Sequence, residues 1–545
     1  MKIDRLNILY PFILIIGIYF LYHNAVHNGF SGLDDILMIE ENWDRLQHLS
    51  HIKTAFTEDV FIRAEGSYYR PVQLLSYMPD VFFSGSDVPV AKIFFQINIF
   101  LFILAFIQLF FFLKEFNFGI HYRFIFTSLM AVHPALTPAV SWIPGRIDTL
   151  LFIIVIGAFW AFIRYIKTRK PFWAILYLLL FAIGMFTKET AITLPALSML
   201  LLWFFQTLKE EEMCTENWSW KKAIDLSFCF ELIKSSVIWI KNNLLILAGW
   251  VVILFIWYLM RSQALSENPL GLMGILYHLN TSWQEFIILG NVTYFPYDLQ
   301  VFLDITWYFV VIAIPGFLLF MAMPSLLKSK FNYSFLGLVW IFVFILPTTL
   351  SDSLNYHRLF IPFVGMAFIL QPLDRKGINR VYLGVGISFF LVLFVTQNMQ
   401  FQKAYLNKNT FWNNAVTYSP TSPFANNGLA WSYHLDHQND SALKYYGRVV
   451  ELGPEGDNVR IGMALIHEEM GQTQKADSLF QEEFKATNDS SLVYFFMGQV
   501  QLDRGDTQQA ISNLSLGYRS TETSRNSRLY YDTLNLDIKN QLRLD

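Results

Sequence analysis

The chain has 545 residues, of which 54% are hydrophobic, 17% are aromatic and only 15% are charged. Because soluble domains usually carry charge on about a quarter of their residues, this composition excludes an ordinary soluble protein and predicts long apolar segments covered by a bilayer. The net charge of -3 argues against nucleic acid as a partner. Cys214 and Cys229 form neither a disulfide framework nor a metal-ligand pattern.

The apolar residues are concentrated in residues 1–397, whereas residues 398–545 are polar and contain no run long enough to cross a membrane. A spanning helix needs about 20 mostly apolar residues, so we predict an all-α protein with about eleven spans and a separate C-terminal domain. The predicted spans cover residues 7–23, 91–113, 122–141, 147–164, 171–187, 190–207, 243–260, 305–324, 332–350, 358–373 and 381–397. Residues 221–242 mix apolar and charged side chains, which favours a helix along the cytoplasmic interface.

The distribution of Lys and Arg predicts the orientation. Lys2 and Arg5 precede the first apolar run and place the N-terminus in the cytoplasm. That run lacks a small-residue cleavage site, so we expect it to stay as a helix. With eleven spans, the long loop 24–90 and residues 398–545 lie outside the cytoplasm. We expect a bacterial inner membrane with a periplasmic C-terminal domain; an endoplasmic-reticulum membrane with a luminal domain is the alternative.

Residues 398–545 contain a repeat with a period of 34 residues. Ala442, Ala476 and Ala510 follow this period, and so do Ala430, Ala464 and Gly498. Small residues at two fixed positions let paired helices approach closely, which is typical of a tetratricopeptide array. We therefore predict an α-solenoid of tetratricopeptide repeats over residues 398–545, with a binding groove or a scaffold as its usual role.

An acidic pair, Asp34 and Asp35, follows the first predicted span in the string SGLDDILMIEEN. Each carboxylate of such a pair can raise the pKa of the other, and a carboxylate with a raised pKa suits a general base acting on a hydroxyl. The structural alternative is a helix N-cap, because Asp precedes an apolar helical pattern.

Three more clusters fall on the predicted outer side of the membrane. Their candidate residues are Tyr69 and Arg70 in SYYRPVQLLSY, His133, Arg146 and Asp148 in HPALTPAVSWIPGRIDTL, and Lys188 and Glu189 in FTKETAITLP with His357 and Arg358 in NYHRLFIPFVG. Several cations on one face suit an anionic head group. The alternatives are interfacial anchoring by Tyr69, an ion pair between Arg146 and Asp148, and cations that only extend to the interface.

The order of these strings resembles the transmembrane and tetratricopeptide-repeat O-mannosyltransferase family of the GT-C superfamily. The matching residues are Asp34, Asp35, Ile39, Asn42, Tyr69, Arg70, Pro71, His133, Pro134, Ala139, Val140, Gly145, Arg146, Asp148, Lys188, Glu189, Arg358, Pro362 and Gly365. Residues 295–304, FPYDLQVFLD, are similar to a proline-containing loop of that family. Pro138 and His357 depart from it, because the family usually has Glu at both positions.

The resemblance implies transfer of a sugar from a polyprenyl-phosphate donor to an acceptor hydroxyl, most simply Ser or Thr of a protein, at the outer membrane face. It implies Asp34 as the base and Asp35 as its orienting neighbour or acceptor contact, with the reverse assignment left open. Arg358 and Arg146 are the first candidates for the donor phosphate. The other expected contacts are Lys188 and Arg70 for the phosphate, and Tyr69, His133, Asp148, Glu189 and His357 around the sugar.

The expected partners are the lipid-linked donor, membrane lipids and a polypeptide acceptor held by the repeats. No cofactor is expected, although a divalent ion on Asp34 and Asp35 remains an alternative. Two other functions stay open: a transferase that modifies a glycolipid or envelope polysaccharide, and a non-catalytic membrane anchor for a repeat scaffold.

Overall fold

The structure of the protein, a computed structural model, describes residues 5–61, 68–212, 226–265, 330–347, 356–374, 380–453, 459–487 and 490–520. Within those ranges every regular element is a helix and there is no strand, which confirms the predicted all-α class for the described residues. Loop 295–304 and the predicted span 305–324 lie outside them.

The described part of residues 1–402 contains sixteen α-helices. They are α1 (Leu6–Tyr22), α2 (Trp43–Gln47), α3 (Ile52–Thr57), α4 (Pro71–Leu75), α5 (Met78–Ser84), α6 (Ala91–Phe112), α7 (Ile120–Ala131), α8 (Pro138–Ser141), α9 (Arg146–Thr168), α10 (Pro171–Thr187), α11 (Leu194–Glu212), α12 (Leu226–Lys241), α13 (Leu244–Ala264), α14 (Phe331–Ile345), α15 (Phe363–Ile369) and α16 (Arg380–Gln402). Helix α12 begins inside the segment predicted to lie along the interface.

Six helical segments of the described chain are long and apolar enough to cross a membrane, which is compatible with an integral membrane protein. They are Leu6–His27, Ala91–Phe116, Ile143–Thr168, Glu189–Leu208, Leu244–Ala264 and Val381–Tyr405. Each of them overlaps a predicted span. Backbone N–H and C=O groups inside a helix bond to one another, which is what a bilayer requires of a spanning segment.

The other predicted spans differ from single long helices. Residues 122–141 form two helical pieces, Ile120–Ala131 and Pro134–Ser141, which meet at a bend of 62°. Helices α10 and α14 are apolar but shorter than the six segments.

The expectation of one spanning helix over residues 358–373 is wrong. This segment forms a 3-10 helix, Tyr356–Leu359, and then the seven-residue α15. Pro362 lies at the start of α15, where its missing N–H would break a longer helix.

The described residues of loop 24–90, which are 24–61 and 68–90, are folded rather than extended. After the 3-10 helix His23–His27, the segment with the acidic pair leads into a π-helix, Ile36–Glu40, and helices α2 to α5 follow. A small core that includes Ile39, Trp43, Tyr77 and Phe94 joins this loop to the first turn of α6. The loop is therefore fixed against the membrane helices.

The polar C-terminal part forms seven further helices in the described residues. They are α17 (Lys408–Tyr418), α18 (Pro423–Leu435), α19 (Asn439–Leu452), α20 (Val459–Glu469), α21 (Thr473–Ala486), α22 (Ser491–Asp503) and α23 (Thr507–Ser520). Helices pack in successive pairs, α18 with α19, α20 with α21 and α22 with α23. Ala442, Ala476 and Ala510 are each fully buried, as expected for close contacts that recur every 34 residues.

The boundary predicted at residue 397 lies inside helix α16, which continues to Gln402. Asn398 and Gln402 of this helix bind α1: Asn398 Nδ2 donates to Tyr22 Oη (2.7 Å), and Gln402 Nε2 donates to the Leu21 carbonyl (3.0 Å). The end of α16 is therefore attached to the end of α1, next to the loop that carries the acidic pair.

Candidate active site

Asp35 is held by its own loop. Its side chain is 1% exposed. Its carboxylate accepts hydrogen bonds from Ser31 N (2.5 Å), Ser31 Oγ (2.9 Å) and Leu33 N (3.1 Å). These three bonds close residues 31–35 into a tight turn, so the contacts of Asp35 hold the turn in shape. Burial raises the pKa of Asp35, and the bonds from Ser31 and Leu33 oppose that effect.

Asp34 differs from its neighbour. Its side chain is half-buried, and the described residues donate no hydrogen bond to its carboxylate. Burial raises the pKa of Asp34 to about 6, with a further increase from the charge of Asp35 and an opposing effect from Arg70. A half-buried carboxylate with free oxygens and a pKa near neutrality has the properties of a general base.

Arg70 lies within electrostatic range of Asp34. Its guanidinium stacks on Tyr68 at 4.3 Å from the ring centroid, and its Nε is 3.8 Å from Glu189 Oε2, beyond hydrogen-bond distance. The guanidinium forms no hydrogen bond with a described residue. Arg70 is thus oriented by stacking and by a loose ion pair, with donors that an anion could occupy.

Lys188 is buried and pairs with Asp148, with 2.6 Å between Nζ and Oδ1. The alternative ion pair between Arg146 and Asp148 is not formed, because Arg146 pairs with Asp80 instead. The positive charges of Arg70 and Arg358 both act on Lys188. These three residues thus form one group of cations, which we call the cation cluster, with Asp148 and Glu189 as partial counter-charges.

Arg358 lies in the 3-10 helix Tyr356–Leu359, the first piece of the broken segment found in place of the predicted span. Trp340 Nε1 donates to the carbonyl of Ile361 (2.9 Å), which fixes the segment on α14. A Cβ at Gly337 would lie 2.5 Å from the carbonyl oxygen of Gly365, so only a residue without a side chain lets α14 and α15 approach this closely. The short helices thus give the position of Arg358, which is half-buried.

Arg146 occupies a different environment. It is completely buried, and its guanidinium donates to Asn98 Oδ1 (2.6 Å), Ser76 O (2.9 Å), Phe94 O (2.9 Å) and the carboxylate of Asp80. Four of the five donor hydrogens are therefore already used inside the protein. This arrangement ties α5, α6 and α9 together and leaves Arg146 inaccessible to a lipid phosphate.

Two other candidates, Tyr69 and His133, also have contacts inside the protein. Tyr69 is fully buried, and its hydroxyl donates to the Phe56 carbonyl (3.0 Å). His133 is buried, accepts from Ala135 N at Nδ1 (3.2 Å) and packs against two phenylalanine rings, Phe363 and Phe394. No described contact links His133 to the cation cluster. The side chain of His357 lies outside the described residues.

Sequence reasoning missed the two partners of Arg146, Asp80 and Asn98. Both are buried, and each is more than 40 residues from Arg146 in the chain. Asn98 carried a signal, because a polar residue inside an apolar spanning run marks an interior contact. Asp80 carried none, since MPDVFF also suits an ordinary surface helix.

No protein-family model matches the chain, and no curated protein matches it significantly. Among the side chains that the structure describes, no group of three or more His, Cys, Asp or Glu is placed to hold a metal ion.

Proposed function

We propose that the protein is a membrane glycosyltransferase that moves a sugar from a polyprenyl-phosphate donor to an acceptor hydroxyl, Ser or Thr of a protein, on the extracytoplasmic face. One observation carries the proposal. The half-buried Asp34 carboxylate, to which no described residue donates a hydrogen bond, lies within electrostatic range of Arg70, a member of the cation cluster with Lys188 and Arg358. A base beside an anion-binding group is the arrangement that transfer from a lipid phosphate to a hydroxyl requires.

In the proposed reaction, Asp34 takes the proton of the acceptor hydroxyl as the oxygen attacks the anomeric carbon. The bond between that carbon and the phosphate oxygen breaks, a glycosidic bond forms with inversion, and the polyprenyl phosphate leaves with the negative charge. Arg70 and Arg358 stabilise that charge, since preorganised cations are most effective where charge develops. Lys188 contributes less, because Asp148 already pairs with it.

The assignment within the acidic pair follows from the hydrogen bonds. Asp35 uses its carboxylate to close the turn, whereas the Asp34 oxygens can still meet a hydroxyl. We therefore assign Asp34 as the base and Asp35 as the residue that shapes the turn. We no longer include Arg146 among the residues that bind the donor phosphate, because its donors hold α5, α6 and α9 together. No step needs a metal ion.

We propose an odd number of spans, close to eleven but without a single helix over residues 358–373, a cytoplasmic N-terminus, and an extracytoplasmic solenoid of tetratricopeptide repeats beginning near residue 398 that holds a polypeptide acceptor. The recurring buried alanines support the repeats. The attachment of the Asp34 segment to the residues that lead into the first repeat helix supports an array on the same side as the acidic pair: Gly29 N donates to the Leu406 carbonyl (2.8 Å). We propose a bacterial inner membrane.

The test is transfer of radiolabelled sugar in membranes that contain the protein. Polyprenyl-phosphate mannose is the first donor, with a Ser/Thr-rich peptide as acceptor. Asp34→Asn should reduce turnover by about 100-fold or more, because general-base catalysis is removed. Asp44→Asn, a change at an exposed carboxylate of the same loop, is the matched control and should leave turnover unchanged.

Full turnover by Asp34→Asn would overturn the assignment of the base. Label that appears only in a glycolipid or polysaccharide would favour the envelope-modifying alternative, with the same donor site. The non-catalytic scaffold predicts no transfer by the unaltered protein with any polyprenyl-phosphate sugar tested.

A further inference from the structure

The segment that carries Asp34 is attached to the first helix of the C-terminal array. Trp412 Nε1 of α17 donates to the carbonyl of Gly32 (3.3 Å). The backbone bond from Gly29 to Leu406 lies three residues earlier in the same segment. Both ends of residues 29–32 are therefore held by residues 406–412.

Gly32 is needed for this contact. Its φ is +72°, in the left-handed region that favours glycine, and a Cβ there would lie 2.8 Å from Lys408 Cβ. The segment and α17 thus touch at backbone distance. Gly32 is two residues before Asp34, and the bonds from Ser31 and Leu33 to Asp35 make the intervening turn stiff.

Trp412 is itself firmly placed. It is 4% exposed, and its ring meets Phe424 of α18 edge-to-face at 5.4 Å between centroids. Lys408 of the same helix pairs with Asp436 (2.7 Å), which follows α18. A movement of the first helices of the array would therefore move the indole, and with it the carbonyl of Gly32.

We infer that Trp412 is a positioning residue, whose indole N–H sets the place of the Asp34 carboxylate by holding the Gly32 carbonyl. The inference rests on the proposed function. It gives the array a second role besides acceptor binding, because the first repeat helix completes the support of the base. Occupation or displacement of the array can thereby change turnover without any contact between the repeats and the sugar.

The test is Trp412→Phe, which keeps an aromatic ring near Phe424 and removes the N–H donor together with part of the indole. We expect kcat to fall by about threefold to tenfold, the effect of one lost neutral hydrogen bond on a positioned group. The KM for polyprenyl-phosphate mannose should stay unchanged, whereas the melting temperature in detergent should fall by a few degrees, because the smaller ring leaves a buried gap. The midpoint of the acid limb of kcat/KM should move to lower pH, because a loosened turn leaves Asp34 better hydrated.

Two matched controls separate this role from general packing. Tyr446→Phe changes the aromatic residue one repeat further along, 34 residues after Trp412, and should leave kcat and the pH profile unchanged. Gly32→Ala and Gly85→Ala form the second pair. Both glycines have positive φ, but a Cβ at Gly85 meets nothing within 4 Å, so only Gly32→Ala should reduce kcat by the amount seen for Trp412→Phe or more.

The outcomes distinguish the two proposals. If Asp34→Asn is inactive while Trp412→Phe keeps the kcat and pH profile of the unaltered protein, the inference is overturned and the proposed function stands. If Asp34→Asn is fully active, the proposed base fails and the inference fails with it. A fall in kcat and melting temperature in Trp412→Phe with an acid limb that stays at the pH of the unaltered protein would make the residue part of the packing alone, and the inference would be overturned.

Discussion

Arg146 and Arg70 are two arginines beside carboxylates, and they differ in how many of their donors the protein itself uses. Arg146 is completely buried and donates to four acceptors, including Asp80. Arg70 is partly exposed, stacks on Tyr68 and reaches Glu189 only at 3.8 Å. The first environment is closed and the second is open to an anion.

The comparison shows that a buried arginine in a motif does not by itself indicate a ligand site. What separates a phosphate-binding residue from a structural one is the number of donors left over after folding. The same distinction applies to Asp35, which closes its turn, and to Asp34, whose oxygens stay available.

The largest effect is expected on stability, from a substitution of the buried Arg146. Arg146→Met should destabilise the protein by about 3–5 kcal/mol, because Asp80 is left as an unpaired charge in the interior. The measurement is the fraction of folded protein after heating in detergent, followed by size-exclusion chromatography. Arg45→Met, in the loop that also contains Asp80, is the matched control. Its pair with Glu58 is exposed (3.6 Å), so the cost should be below about 1 kcal/mol.

The double variant Arg146→Met/Asp80→Leu sharpens the test. Removing both partners leaves no buried charge, so part of the lost stability should return. If the double variant were as unstable as the sum of the single changes, the hydrogen bonds to Asn98 and the backbone carbonyls would outweigh the ion pair.

Much of the architecture could be predicted because it depends on local composition. Apolar runs indicated six of the segments that can cross a membrane, and the 34-residue period indicated which alanines are buried. The prediction of a span over residues 358–373 was wrong although the segment is apolar, because apolar composition alone does not reveal the helix break at Pro362. Proline in the run was the signal that argued against a continuous helix.

The site was predictable in its residue types but not in its pairings. Arg146 and Asp148 are neighbours in sequence, yet residues i and i+2 of a helix point in different directions, so a pair between them was unfavourable from the start. Arg146 instead meets Asp80 and Asn98, and Asp148 meets Lys188. Those contacts depend on how α5, α6, α9 and α10 pack, which one sequence does not specify.

A smaller effect, on activity alone, is expected from a substitution of Arg70. Arg70→Gln should reduce kcat/KM for polyprenyl-phosphate mannose by roughly 10- to 100-fold, the range for losing charge-assisted hydrogen bonds to a phosphate. Thermal stability should change little, because Arg70 forms no hydrogen bond with a described residue. Arg45→Gln is the control and should stay within about threefold, since the ion pair of Arg45 with Glu58 is exposed and Arg45 does not belong to the cation cluster. Unchanged kcat/KM in Arg70→Gln would remove Arg70 from the phosphate site.

The smallest effect concerns pH. If Asp34 is the base, only its ionised form is active, so kcat/KM should rise with pH through the pKa of Asp34, about 6. The positive charge of Arg70 lowers that pKa, and Arg70→Gln should therefore move the acid limb to higher pH, by less than about one unit for partly screened charges. Arg146→Met, in protein that remains folded, should move the limb less, because Arg70 and Asp35 are the charges that act on Asp34. The measurement is kcat/KM from pH 4.5 to 8 in the unaltered protein and in the Arg70→Gln and Arg146→Met variants. An acid limb that stays at the same pH in Arg70→Gln would show that the group titrating near pH 6 is not next to Arg70. Asp34 would then not be the base.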